Sequence, residues 1–259
     1  MSAGLVIVEP QPARGSWNMA VDEALLEAAV ESGQAAVRWY RWADPTLSLG
    51  YFQKPEDAPE LPGGESLALV RRLSGGGAIL HHHELTYSCV LPAGHPLVQD
   101  PHQLYVAVHD RIIAVLATFG IEAARRGDNT AGTVADAFLC FARGDACDVV
   151  CQGQKILGSA QRRRRGAVLQ HGSLVLRRSA HAPQFAGAFD LAELELSEDT
   201  ERTAELLASL AQGLAEFLPA AVWRESIEES AARRAQDIES ERRWPGPRGP
   251  LAPLATRDT

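Results

Sequence analysis

Leu104, Val108, Ile112, Val115 and Phe119 recur at steps of four, four, three and four, which places them on one face of a helix that Gly120 ends. The same reasoning predicts an earlier helix from Met19, with Asn18 as its cap and Gly33 as its stop. It lies between β-type stretches at residues 4–8 and 36–42 (AVRWYRW). Residues 67–73 (LALVRRL) predict a strand running into Ser74-Gly75-Gly76-Gly77, and AILHHHELTYSCVL returns as β through Leu91, a strand pair turned by glycines. An irregular polar segment from about Gly127 to Asp145 precedes three further β runs, DVVCQG, KILGSAQ and GAVLQHGSLVL. After residue 180 the pattern is helical again, with Leu206, Leu210, Leu214 and Phe217 on one face. No internal repeat is present. Strands grouped around helices, without strict alternation, predict an α+β domain over residues 1–240. Its core is a mixed or antiparallel β-sheet flanked by helices. The Pro- and Gly-rich residues 245–259 predict a disordered tail.

Composition narrows the class of protein. At 259 residues and 46% hydrophobic, the chain can bury a sizeable core without covalent staples. A formal net charge of −8 argues against a nucleic-acid partner. The sequence has no apolar run near the roughly 18 residues of a membrane span, and MSAGLVIVEP lacks the features of a signal peptide, so a cytoplasmic protein without membrane association is expected. Four cysteines (Cys89, Cys140, Cys147, Cys151) are too few for a disulfide scaffold, so each is a buried hydrophobe, a metal ligand or a nucleophile.

The candidate chemistry starts from the glycines. Three in a row between strands read either as a hairpin loop or as a backbone that must approach a ligand closely. Cys147-x-x-x-Cys151 lacks the spacing and the second pair of a zinc site, and alternation along DVVCQG puts Cys151 in a strand, so core packing is expected and no metal is predicted. His81, His82 and His83, taken as successive strand residues, cannot all face one site. Arg162 to Arg165 reads as a solvated turn or as a landing place for an acidic carrier, and the sequence leaves both open.

Arg71-Arg72-Leu73-Ser74-Gly75-Gly76-Gly77-Ala78-Ile79-Leu80-His81, followed by Glu84-Leu85-Thr86-Tyr87-Ser88, resembles the signature loop of the lipoate-protein ligase, octanoyltransferase and biotin-protein ligase superfamily. Lys155-Ile156-Leu157-Gly158-Ser159-Ala160-Gln161 and Gln170-His171-Gly172-Ser173 are similar to two further segments of that family. So are Asn18 through Glu23, Arg41-Trp42 and Ser48-Leu49-Gly50, so the resemblance spans about residues 15 to 190. It implies the fold of that family's catalytic domain. It also implies a substrate site built from Arg72, Ser74, Gly75, Gly76, Gly77, His81, Gly158, Ser159, Ala160, His171 and Gly172.

The branches of the superfamily differ in chemistry. Cys140-Phe141, fifteen positions before Lys155, resembles the octanoyltransferases of Gram-positive bacteria, in which that cysteine is the nucleophile. The resemblance implies that an octanoyl or lipoyl group passes from acyl carrier protein through a Cys140 thioester to a lysine. That lysine would belong to a lipoyl domain of a 2-oxoacid dehydrogenase or to the glycine cleavage H protein. Only a small fraction of a free thiol is ionised at neutral pH, so a nearby ammonium helps, and Lys155 is the candidate. Backbone amides around Gly76 and Gly77, or Gly158 and Ser159, would hold the oxyanion. The acyl chain would lie in an apolar tunnel between the Arg71–His81 loop and the Lys155–Ala160 strand. No cofactor is expected on this reading. The alternative is an ATP- and magnesium-dependent lipoate ligase on the same fold, in which Cys140 is a bystander. Against it, Cys147-Asp148 stands where ligases of the family usually carry Asn-Asp. A third reading, a non-catalytic carrier-binding paralogue, is disfavoured by the presence of both Cys140 and Lys155.

Overall fold

The computed structural model describes residues 3–59, 61–62, 67–129, 131–196 and 200–241, and the tail expected at 245–259 lies outside them. In chain order the described elements are β1 (Leu5–Val8), α1 (Gly15–Ser32), β2 (Ala36–Tyr40), β3 (Thr46–Leu49), β4 (Ala68–Arg71), β5 (Ile79–His81), β6 (Glu84–Leu91) and α2 (Pro101–Thr118). Then come β7 (Ala123–Arg125), β8 (Val149–Cys151), β9 (Gln154–Arg164), β10 (Ala167–Val175), α3 (Ala188–Leu191), α4 (Glu201–Ala215), β11 (Val222–Arg224) and α5 (Glu229–Glu241). Eight strands form one sheet in the order β11-β1-β2-β6-β10-β9-β8-β7, and β4-β3-β5 form a small second sheet. β11, β1 and β2 run parallel, and every later pairing in the large sheet is antiparallel. The sheet is therefore mixed, as the grouping of strands predicts. None of the described helices is long and apolar enough to cross a membrane.

Both faces of the large sheet are covered, and strand alternation assigns residues to each. Val6, Val37, Trp39, Tyr87 and Cys89 pack with Leu104, Val108 and Ile112 of α2 and Leu206, Leu210 and Leu214 of α4. Leu5, Ile7, Ala36, Val90 and Leu169 pack on the opposite face against Val21, Ala24 and Leu25 of α1 and Ala235 and Ile238 of α5. The apolar stripes read from the sequence are core, except that Val115, Phe119 and Phe217 are only partly buried, and Leu116, outside the stripe, is fully so.

Three local expectations are corrected. α1 begins at Gly15, and Asn18 is a buried residue inside it rather than its cap. The Asn18 amide donates to the carbonyls of Ala13 and Arg41 (3.2 Å each) and its oxygen accepts from Arg38 (2.7 Å). A buried amide with partners on neighbouring segments satisfies more of its polar atoms than a cap would. β4 and β5 are not a hairpin: each pairs with β3, which lies between them. The glycines serve close approach, since a Cβ on Gly50 would stand 2.1 Å from the Gly76 oxygen and one on Gly77 2.9 Å from the Cys140 nitrogen. Finally, the three histidines are not one strand. β5 ends at His81, and His83 bends the chain with a φ of 53° before β6.

Candidate active site

The irregular segment before β8 is held against the glycine strip by backbone bonds. Ala78 N–H donates to Phe138 O (2.8 Å) and Cys140 N–H to Ala78 O (2.7 Å), a two-rung parallel bridge in the middle of loop structure. The Arg143 Nε–H bonds Ala137 O (2.5 Å) and closes the loop on itself. Cys140 opens the single helical turn Cys140–Ala142. Of the four cysteines, Cys89, Cys147 and Cys151 are buried and Cys140 alone is partly exposed. Burial pushes the Cys89 thiol up to about 12, which makes it inert.

Lys155 reaches this loop from the start of β9. Its Nζ lies 3.5 Å from Cys140 Sγ and 3.3 Å from Cys140 O, and it forms an ion pair with Asp148 Oδ1 at 2.9 Å. Gly158 makes room for it, because a Cβ there would fall 2.5 Å from Lys155 Cε. Asp148 is oriented by the Asp145 N–H (2.8 Å) and faces Arg126 at 3.8 Å. Burial raises the Asp148 carboxyl above its ordinary value, against the pull of Lys155. Cys140 and Lys155, nominated together from the sequence, are brought into contact.

The pair opens onto a cavity of about 470 Å³ between the glycine strip (Gly76, Gly77) and the first half of α2, where His102, Tyr105 and His109 form the opposite wall. His109 is buried and its protonation is dictated by its neighbours. The Cys147 carbonyl can only accept, so Nδ1 carries the proton (2.5 Å), and Nε2 accepts from the Ser159 hydroxyl (2.7 Å). Ser159 in turn accepts from Tyr87 (2.7 Å), whose oxygen accepts from Gln170 (2.8 Å). Burial lowers His109 to about 4, despite its bond to the Cys147 carbonyl. Its folded value lies below the unfolded one, so the unfolded chain binds the extra proton, and stability falls as pH drops from about 6.5 to 4. We expect His109→Gln to flatten acid unfolding in this window by up to about 3 kcal/mol, measured by denaturant titration at several pH values. An unchanged pH slope would show that His109 does not carry it.

Behind the glycine strip lie two buried relays. Ser74 Oγ meets His171 Nε2 at 2.5 Å, and His171 Nδ1–H donates to Asp22 at 3.1 Å. This is the connectivity of a hydrolase triad, but Ser74 is 1% exposed, so the relay ties the loop to β10 and α1. Burial would raise the Asp22 carboxyl, but the His171 bond and the charge of Arg38 outweigh it and hold the group below the usual carboxylate range. In parallel, Ser48 meets His81 Nε2 (2.7 Å), His81 Nδ1–H donates to Glu84 (2.8 Å), and Trp42 stacks on the His81 ring at 3.7 Å. Arg72 lies between them and donates to the carbonyls of Ser48 (3.0 Å), Gly75 and Gly77 (2.7 Å each). Burial lowers Arg72 to about 10.

The nominated residues thus divide. Gly76, Gly77 and Ser159 line the cavity of Cys140 and Lys155. Arg72, His81, Ala160, His171 and Gly172 surround a second, largely apolar cavity of about 20 Å³, room for about one water molecule. Ser74 and Gly75 act through hydrogen bonds to His171 and Arg72. Cys151 is core, as alternation predicts, whereas Cys147 stands on the cavity wall with its sulfur 3.5 Å from His102. The arginine run is only partly a solvated turn: Arg162–Arg164 belong to β9, and Arg164 pairs with Glu23 and Glu27 (3.1 Å each). Sequence reasoning missed Asp148 and His109 as site residues. Asp148 had a signal, an acid just before the strand leading to Lys155. His109 had only its place beside the apolar stripe of α2.

The structure is a mixed sheet covered by helices, with a glycine strip laid over the Cys140–Lys155 pair, and the comparisons show its family. Residues 14–232 match the model of the lipoyl protein ligase A/B catalytic domain, and the chain belongs to that family. It is 41% identical over 167 residues to the octanoyltransferase LipM of Moorella thermoacetica, covering 61% of this chain and 60% of that protein. With the octanoyltransferase LipM of Clostridioides difficile it shares 32% over 214 residues, 80% of this chain and 77% of that one. The chain spans about 60% of the length of the M. thermoacetica and Carboxydothermus hydrogenoformans relatives. Among solved structures, lipoate-protein ligase A bound with ATP superposes with a TM-score of 0.68 at 22% identity, covering 93% of this chain and 95% of that one. The bipartite lipoate protein ligase of Thermoplasma acidophilum gives 0.66 at 21%, covering 93% and 92%. These two likenesses speak for the fold.

Proposed function

We propose that the chain transfers an octanoyl group from acyl carrier protein to the lysine of a lipoyl carrier domain through a thioester on Cys140. The observation that carries this reading is the approach of Lys155 Nζ to Cys140 Sγ at 3.5 Å beside an open cavity. The relatives named octanoyltransferase support it, as does a structural neighbour described with its E2 lipoyl domain.

In the first half-reaction the Cys140 sulfur attacks the thioester carbonyl carbon. The new S–C bond replaces that of the carrier, whose sulfur leaves with a proton. In the second, the target amine attacks, a C–N bond forms, and Cys140 leaves as the amine proton is passed on. The thioester stores the activation, so no nucleotide is required. Lys155 favours the anionic sulfur, and the amides of Gly76 and Gly77, which line the cavity and of which Gly77 abuts Cys140, receive the oxyanion. The octanoyl chain is assigned to the space between the Arg71–His81 loop and the Lys155–Ala160 strand, where this structure has room for about one water molecule beside Arg72 and His171. A reducing cytoplasm would keep Cys140 free.

Incubating the protein with octanoyl-acyl carrier protein in the absence of ATP should give an octanoyl adduct on Cys140 by intact mass, which an apo lipoyl domain then discharges. Modification of that domain only with free acid, ATP and magnesium, unaffected by loss of Cys140, would establish the ligase reading instead.

A further inference from the structure

Four large hydrophobic side chains are exposed among the described residues: Tyr51, Phe52, Val134 and Trp223. Three of them stand on segments bonded to the strips that form the reactive site. Tyr51 N–H donates to Ser74 O (2.9 Å), at the start of the glycine strip, and Val134 N–H to Ala142 O (2.8 Å), two residues past Cys140. Gln53 Nε2 donates to Phe138 O (3.0 Å), two residues before Cys140. Phe52 is 85% exposed, yet the turn that carries it is tightly held. Arg71 Nη1 meets the carbonyls of Gly50, Tyr51 and Gln53 at 3.1, 3.0 and 2.5 Å, and Gly50 N–H bonds the Gln53 side chain at 3.0 Å. The two rings meet edge to face at 5.0 Å, and the Arg162 guanidinium lies 5.3 Å over Tyr51. A fixed turn that presents two aromatic rings to solvent, one of them against a half-buried arginine, has the composition of an interface anchor, and its order is already in place before a partner arrives.

We infer that the Tyr51–Phe52 turn, with Arg162 over the Tyr51 ring, docks the domain that carries the acceptor lysine. The inference rests on the acyl-transfer reading above. A lysine side chain reaches only about 6 Å beyond its backbone, so the acceptor fold must come against the surface around the site, and the turn is tied by hydrogen bonds to both strips of that site, at Ser74 and Phe138. A donor that presents its thioester on a long prosthetic arm has no such need. The cation stacked on Tyr51 suits an acidic acceptor surface and speeds its encounter.

The test compares wild type with Phe52→Ser and the Tyr51→Ser/Phe52→Ser pair in three reactions. These are loading of Cys140 from octanoyl-pantetheine, release of the octanoyl group by hydroxylamine, and transfer to an apo lipoyl domain of a 2-oxoacid dehydrogenase. The first two should be unchanged, and the third should lose about tenfold or more in kcat/KM through KM. Titration of the apo lipoyl domain onto unloaded enzyme should weaken by a similar factor. That binding measurement needs no chemistry: if wild type forms no acyl-enzyme, the acyl-transfer reading fails while binding still judges the docking surface. Unchanged binding and unchanged transfer in the double variant would overturn the inference. So would a loss confined to loading when octanoyl-acyl carrier protein replaces octanoyl-pantetheine in the first reaction, which would assign the turn to the donor.

Discussion

Replacing Cys140 by serine should leave the fold intact and reduce octanoyl transfer at least about a thousandfold, the scale on which enzymes lose activity with their nucleophile. The change is nearly isosteric, and the loop does not depend on the sulfur for its shape: Cys140 is fixed by its own N–H on Ala78 and its carbonyl toward Arg143 and Lys155. What is lost is chemical. A serine hydroxyl stays protonated without a strong base, and the ammonium of Lys155, itself committed to Asp148, is not one. The buried histidines offer no substitute. His171 and His81 are engaged with Ser74 and Ser48, and His109, with a value lowered to about 4, accepts from Ser159. Circular dichroism and thermal unfolding should match wild type while intact mass shows no octanoyl adduct from octanoyl-acyl carrier protein. A serine variant with normal turnover would sink the thioester mechanism and leave Cys140 as a wall residue of the cavity.

The parts of the site that were legible in the sequence are those whose signal is local. Cys140 and Lys155 stood out by type and by motif, and the glycines by their run. The helix stripes of α2 and α4 followed from periodicity, because a buried helix face must repeat near 3.6 residues. What stayed hidden depends on contacts distant in sequence. β3 is four residues of ordinary composition, and nothing local says that it inserts between β4 and β5. Asn18 satisfies the local rule for a cap, yet its amide is claimed by Arg41 and Arg38 across the sheet. Asp148 becomes a site residue only when β9 brings Lys155 alongside, and His109 only when β9 places Ser159 under α2. The family resemblance named Ser74, His81 and His171 without saying how they work. In the structure Ser74 and His171 tie the glycine strip to α1, and His81 joins Ser48 to Glu84.

Lys155→Met keeps the apolar stem that packs on Gly158 and removes the charge beside the sulfur, so it separates electrostatics from packing. Alkylation of Cys140 by iodoacetamide at neutral pH should slow about tenfold, because the ammonium that stands 3.5 Å from the sulfur and attracts its anion is gone. Acyl-enzyme formation should slow by at least that factor, because the same anion attacks the thioester. The substitution also strips Asp148 of its ion-pair partner at 2.9 Å, leaving Arg126 at 3.8 Å. Breaking a buried pair costs about 3–5 kcal/mol when the remaining charge is stranded. Here the cost should fall below that range, since burial already raises the Asp148 carboxyl and eases its protonation. Stability and reactivity are separated by the double variant Asp148→Asn/Lys155→Met, which removes the stranded acid. It should recover most of the lost melting temperature and none of the lost alkylation rate. If the double variant alkylated at the wild-type rate, or Lys155→Met alone did, the ammonium would not tune the nucleophile. Lys155 would then be a residue that binds substrate, as a ligase of this fold would require.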